Sequence, residues 1–241
     1  MWLFNSSIGK KVLMSLTGFF LIVFLLVHAT INVVAIFSES GYNAACDFMG
    51  TNPIVQFMVP VLALGFILHI AYAFVLTIQN RRARGTDRYA SSSKTGIDWS
   101  SKNMLVLGII VLGVLGWHLT HFWSKMQLLE WTGQAPEKGF TLVAQTFSNP
   151  IVVVCYLVWL LAIWFHLSHG AWSAFQTLGL NNKIWFKRLR VIGIIYATIV
   201  CLMFAAVAVS FYLNSLGLCD NIGHIWTLGS HAAEHTMVPA L

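Results

Sequence analysis

From Val12 to Phe37 the chain runs without one Lys, Arg, Asp or Glu, and residues 54–79, 103–124, 150–177 and 191–213 do the same. Each run meets the length of about 20 apolar residues that a helix needs to cross a bilayer. In hydrocarbon every backbone N–H and C=O must be satisfied within the segment, which leaves helix as the conformation for isolated runs. The expectation is an all-α integral membrane protein of five transmembrane helices over residues 1–213, followed by a tail at 214–241. Composition agrees, with 58% hydrophobic and 9% charged residues, where a soluble domain carries about 25% charge. Asn52-Pro53 and Asn149-Pro150 open the second and fourth runs; Asn suits a helix cap and Pro the first turn. Pro60 inside the second run predicts a kink, or a helix whose neighbours absorb it. The stretch from Val12 is too long for the apolar region of a cleavable signal, and no small-residue cleavage site follows it.

The net charge of +6 would suit nucleic acid if it were spread over a soluble face. Instead it is sorted. Of the 14 Lys and Arg, 12 fall before the first run, between the second and third, or between the fourth and fifth: Lys10, Lys11, Arg81, Arg82, Arg84, Arg88, Lys94, Lys102, Lys183, Lys187, Arg188 and Arg190. Lys125 and Lys138 are the exceptions. The positive-inside rule therefore places the N-terminus in the cytoplasm and the C-terminus outside. Cys155 and Cys201 lie within apolar runs and read as inert packing residues. No Cys-x-x-Cys-His occurs, which excludes covalent attachment of a c-type haem.

Outside the tail, every histidine lies in one of the first four runs: His28, His69, His118 with His121, and His166 with His169. Intramembrane ionisable residues are costly and mark function by default; a single one also serves as hydrogen-bonding glue between helices. Depth separates the two readings. His28 lies about 25 Å along its helix from Lys11, and His118 about 24 Å from Lys102. His69 and His166 each lie 11 residues before the inner end of an oppositely directed helix, at Asn80 and Thr177, or about 16 Å. Two height-matched pairs follow, His28 with His118 toward the outside and His69 with His166 toward the inside. Facing neutral imidazoles across a four-helix bundle are what a low-spin b-type haem needs as axial ligands. Gly65, Gly113, Gly116 and Gly170 lie near them in sequence, where small residues give a flat ring room or let helices pack closely. The patterns His118-Leu-Thr-His121 and His166-Leu-Ser-His169 place a second histidine on a nearby face, within reach of a haem edge, a propionate or a quinone. Depth favours His118 over His121 and leaves His166 and His169 open.

Trp117-His118 in the third run and Phe165-His166-x-Ser168-x-Gly170-x-Trp172-Ser173 in the fourth carry a resemblance. The chain, up to about residue 213, resembles the diheme cytochrome b membrane subunit of succinate:quinone oxidoreductases, in the class where one five-helix polypeptide anchors succinate dehydrogenase or fumarate reductase. The resemblance aligns His166, not His169, with the ligand, and makes Asn32 and Trp99 family positions. It implies two haem b groups on His28, His69, His118 and His166, with Trp99 in the cofactor-binding set. It also implies a quinone, usually menaquinone, as electron partner, and residence in the bacterial cytoplasmic membrane. FAD and iron–sulfur clusters belong to the partner flavoprotein and iron–sulfur subunits, and no dicarboxylate chemistry lies in this chain. The basic inner face would dock the iron–sulfur subunit. Two departures stand out. Gly50, with Asp47 one turn earlier, occupies a place where many members carry glutamate near the outer quinone site. Trp164 stands where some carry an acidic residue linked to proton transfer. Asn32, Asp47 and His121 are the quinone candidates; a helix cap, a solvated loop charge and a packed interfacial ring are their respective alternatives.

Three rival readings make different demands. Another quinone-linked diheme anchor, such as that of a hydrogenase, would lack the fourth-run motif. A histidine-relay proton transporter would string protonatable residues along one path, whereas these fall into two pairs and the run interiors carry no Asp, Glu, Lys or Arg. A cofactor-free scaffold leaves the four imidazoles unexplained. In the tail, His231-Ala-Ala-Glu234-His235 matches a short zinc-peptidase pattern, but only six residues follow it. A terminal segment packing on the outer face or on a partner is the expectation there.

Overall fold

The computed structural model describes residues 6–84, 99–179 and 182–225. Among them the order is α1 (Ser7–Phe37), α2 (Glu39–Thr51), α3 (Pro53–Arg84), α4 (Trp99–Lys102), α5 (Met104–His121), a 3₁₀ turn (Trp123–Lys125), α6 (Gln127–Trp131), α7 (Gly139–Phe147), α8 (Pro150–Thr177) and α9 (Lys183–Ser215). Five helices are long and apolar enough to cross a membrane: α1, α3, α5 with the turn that follows it, α8 and α9. They expose Ile54, Phe57, Ile151, Val154 and Leu202, as lipid-facing helices do, because a hydrocarbon solvent asks for no polar cover.

Three of the long helices, α1, α3 and α9, extend past the apolar runs that predict them. α1 begins at Ser7 rather than at Val12, and α9 at Lys183 rather than near Val191. The basic residues that bound the runs in sequence continue the helices in space, since Lys and Arg are good helix formers and nothing at a membrane surface ends a helix by itself. What ends them is capping. Ser6 Oγ accepts from the N–H of Gly9 at 2.9 Å, Asn52 Oδ1 from Ile54 and Val55, and Asn149 Oδ1 from Ile151. Asn182 does the same for α9, accepting from Trp185 at 2.7 Å. Pro60 does not interrupt α3.

Two compact units divide the chain, Met1–Leu25, Phe57–Leu112 and Ala162–Ile199 forming the first, and Leu26–Gln56, Gly113–Leu161 and Val200–Leu241 the second. In the first, Phe19 meets Phe175 edge-on with ring centroids 4.5 Å apart. A Cβ on Gly65 would stand 3.0 Å from the Phe20 ring, so this glycine serves helix packing. Trp164 Nε1 donates to Thr198 Oγ1 at 2.9 Å, and Tyr196 donates to the Ile22 carbonyl.

The second unit holds two helices that the apolar runs do not announce, α2 and α7. Ser38 breaks the path from α1 and caps α2 by accepting from Gly41 at 3.0 Å. α7 buries Leu142, Val143 and Phe147, and Asn43 on α2 accepts from the N–H of Phe140 near its start. A Cβ on Gly139 would stand 2.7 Å from Cys46 Sγ, so glycine is what lets α7 approach α2. Gly223, at φ 85°, accepts from Glu39 N–H at 2.8 Å and donates to the Ile36 carbonyl at 2.9 Å. Cys201 is buried, its thiol donating to the Leu160 carbonyl, whereas Cys155 is exposed rather than packed. It shares an outward face of α8 with Val154 and Val158. Arg88, Lys94, His231, Glu234 and His235 lie outside the described residues.

Candidate functional site: two histidine pairs

Each height-matched pair read from the sequence falls inside one unit. In the first unit, His69 on α3 and His166 on α8 have ring centroids 6.3 Å apart at 70°. In the second, His28 on α1 and His118 on α5 stand 6.0 Å apart at 85°. A metal–nitrogen bond is about 2 Å, and adding the distance from each nitrogen to its ring centre puts two imidazoles on one metal ion about 6 Å apart, centre to centre.

His69 is held from one side. A Cβ on Gly18 of α1 would stand 3.5 Å from its Cε1, so the ring packs against a residue without a side chain. Thr17 Oγ1 lies 3.4 Å from its Nδ1. The same hydroxyl bonds the carbonyls of Leu13 and Met14 at 2.9 and 3.0 Å. His166 passes 3.9 Å from a Cβ built on Gly108, and its Nδ1 is buried with no hydrogen-bond partner among the described residues. Trp172 Nε1 is buried in the same condition. His169 packs on the Trp172 ring at 4.9 Å. Trp99, although exposed, lies 5.1 Å from the ring of Phe165, the neighbour of His166.

In the second unit His118 sits among aromatic rings, 5.1 Å from Phe122, 5.5 Å from Trp159 and 6.0 Å from Tyr156. His28 lies 5.4 Å from Phe204. The Tyr156 hydroxyl stands between the two histidines of the third run, 3.4 Å from His118 Nδ1 and 3.0 Å from His121 Nδ1. His121 also packs on Trp117 at 4.5 Å. Tyr156 is a residue that sequence reasoning missed; its position ten residues before His166 carries no motif. Gly113, Gly116 and Gly170 face open space.

The quinone candidates do not converge. Asn32 spends its amide on its own helix, donating to the His28 carbonyl at 2.8 Å, and its Oδ1 accepts from Tyr42 at 3.4 Å. Asp47 is exposed, and no hydrogen bond joins it to Asn32 or His121 among the described residues. It belongs instead to a polar cluster at the head of α3. There Gln56 and Gln127 exchange amide hydrogen bonds at 2.8 and 3.2 Å. Trp131 donates to Gln56 at 2.9 Å, and Gln127 to Glu130 at 3.3 Å. The Glu130 carboxylate fills the space that a side chain at Gly50 would need. Burial, then the charge of Asp47, holds the Glu130 carboxyl above its ordinary range. Burial pushes the Cys46 thiol up to about 11; the hydrogen bond from Tyr42 works against this, and Asp47 and Glu130 reinforce it. Among the described residues no group of three or more His, Cys, Asp or Glu is arranged to hold a metal ion; an axial pair needs only two.

No family model matches the chain, and no solved structure matches it. A curated relative does. Over 160 residues, 66% of this chain and 73% of the relative, the chain is 26% identical to the succinate dehydrogenase cytochrome b558 subunit of Bacillus subtilis (strain 168). A chain whose described residues form helices and no strand, five of the helices able to span a membrane, is thus similar to the cytochrome b subunit of a succinate dehydrogenase.

Proposed function

We propose that this chain is the membrane-anchor cytochrome b subunit of a succinate:quinone oxidoreductase, a succinate dehydrogenase or fumarate reductase. It carries two b haems between an iron–sulfur subunit and a quinone of the menaquinone class. The observation that carries the reading is the spacing of the two imidazole pairs, 6.0 and 6.3 Å between ring centroids. Two helices supply each pair, and the lining is apolar and aromatic, which suits a flat macrocycle excluded from water. His166 adds a buried ring nitrogen, Nδ1, with no hydrogen-bond partner among the described residues. The residues present therefore fit the group.

In this reading His28 and His118 hold one haem, and His69 and His166 the other, with Trp99 beside the latter through Phe165. The haem iron supplies reversible one-electron chemistry, and the chain sets its potential through ligands, hydrogen bonds and burial. Quinone reduction consumes two electrons and two protons, so its site needs both a near electron donor and a proton donor. His121 meets that need best of the three candidates, because Tyr156 links it by hydrogen bonds to His118. Asn32 and Asp47 remain second choices, one with its amide engaged and the other solvated. The sorted basic residues support an N-terminus in the bacterial cytoplasm and would offer an acidic partner surface, that of the iron–sulfur subunit, its docking face. The flavoprotein follows on that subunit.

The test is a dithionite-reduced minus oxidised spectrum of the purified chain, with pyridine-haemochrome quantitation. A b-type α-band with close to two haems per chain is expected. A folded chain that holds no haem, although haem was supplied during expression, overturns the reading and brings the histidine-relay transporter forward.

A further inference from the structure

We infer that Thr17 is a positioning residue: its hydroxyl accepts the Nδ1 proton of His69 and so leaves the Nε2 lone pair of that ring as the one available to a metal. The inference rests on the proposed haem-binding function and assigns a role that neither the histidine pattern nor the similarity to a cytochrome b subunit supplies.

A threonine hydroxyl has one proton and two lone pairs. The Thr17 proton is directed at its own helix, where the carbonyls of Leu13 and Met14 stand 2.9 and 3.0 Å away. A carbonyl only accepts, so that proton is committed. Toward His69 Nδ1, at 3.4 Å, the hydroxyl has only lone pairs to offer. A neutral imidazole carries one N–H and one lone pair, and a nitrogen facing a lone pair must be the N–H. Gly18 lies against the same Nδ1–Cε1 edge of the ring, where a Cβ would stand in ordinary contact at 3.5 and 3.8 Å.

The pair is asymmetric in consequence. His69 is fixed in tautomer and orientation, as metal-ligating histidines are by an acceptor behind them. His166 has no acceptor at Nδ1 among the described residues. A hydrogen bond at Nδ1 makes the imidazole more electron-rich, which favours the ferric state and lowers the potential of the haem that it ligates. The bland alternative is that Thr17 merely back-bonds its helix, as Thr30 does to Leu26 at 2.8 Å without a histidine beside it.

The test uses the full chain in membranes, with the variants Thr17→Val, Thr17→Ser and Thr30→Val, potentiometric titration of both haems, and low-temperature EPR of the ferric haems. Thr17→Val keeps the shape and removes the acceptor. It is expected to raise the midpoint potential of one haem and change its g-values while the other haem stays put. Thr17→Ser should restore both signals, and Thr30→Val should move neither. If Thr17→Val costs the chain one haem, retention of both by Thr17→Ser still supports the hydroxyl. Wild-type spectra and potentials in Thr17→Val, or a Thr17→Ser variant that behaves like Thr17→Val, overturn the assignment. An unaltered chain without haem overturns the proposed function itself, and the Thr17 assignment with it.

Discussion

The hydroxyl of Tyr156 lies within hydrogen-bond reach of two histidines one helical turn apart, 3.0 Å from His121 and 3.4 Å from His118. The hydroxyl has one proton, so Tyr156 can donate to only one of the two rings. If His118 offers Nε2 to iron, its Nδ1 carries the proton, and Tyr156 accepts from His118 and donates to His121. Removing the hydroxyl in Tyr156→Phe should leave two haems bound. It should shift the potential of the His28/His118 haem and slow quinone-linked turnover by roughly tenfold, the scale of one lost buried hydrogen bond. Haem quantitation beside a quinone-reductase assay reads both.

Replacing any one of His28, His69, His118 and His166 with alanine should remove one of two haem equivalents. Replacing His121 or His169 should remove none. Pyridine-haemochrome content per chain decides between these outcomes, and loss of a haem in His121→Ala would show that the third helix uses its other histidine.

The carboxyl of Glu130 titrates above its ordinary range because burial and the Asp47 charge penalise its ionised form. A carboxyl whose folded pKa is raised binds its proton more tightly folded than unfolded, so stability is greatest while it is protonated and falls as pH rises through the unfolded and then the folded pKa. Asp47→Asn removes the second cause. It should lower the Glu130 titration toward the ordinary range and flatten that decline. A pH series of thermal unfolding in detergent, with carboxyl NMR of Glu130, checks both.

At Gly139 a Cβ would meet Cys46 Sγ at 2.7 Å and the Tyr42 ring at 3.2 Å. Gly139→Val should therefore lift α7 off α2, at a cost of about 1–3 kcal/mol. Amide exchange over residues 139–147 should speed up, while haem content is unchanged.

With its thiol pushed up to about 11, Cys46 should resist alkylation at neutral pH and react only as the solution becomes strongly alkaline. Mass spectrometry of iodoacetamide-treated chain across pH measures this directly.

The five long helices were legible because their signal is local: an uncharged run must satisfy its own backbone wherever it sits. Histidine pairing was legible because helix rise converts residue number into height, and the two pairs brought together are the ones that the arithmetic matched. What escaped depends on contacts between segments. α2 and α7 carry mixed composition, and their burial exists only once Asn43 meets Phe140 and Gly139 meets Cys46. Glu130 occupies the space beside Gly50 from a helix about eighty residues away in sequence, which no reading of position 50 could foresee. Gly65 proved to be a packing residue against Phe20, while Gly18, with no histidine near it in sequence, carries the His69 ring. Thr17 and Tyr156 act through the geometry of one hydroxyl, and a hydroxyl in an apolar run looks like any other.

Gly223 closes the corner where α1 gives way to α2, answering an unpaired carbonyl at Ile36 and an unpaired amide at Glu39. Helix ends leave such groups open by construction, and here the partner is encoded after all five long helices. During synthesis the corner therefore stays open to water until residue 223 has been made and can reach it. A chain released before that point has its long helices but not the clasp.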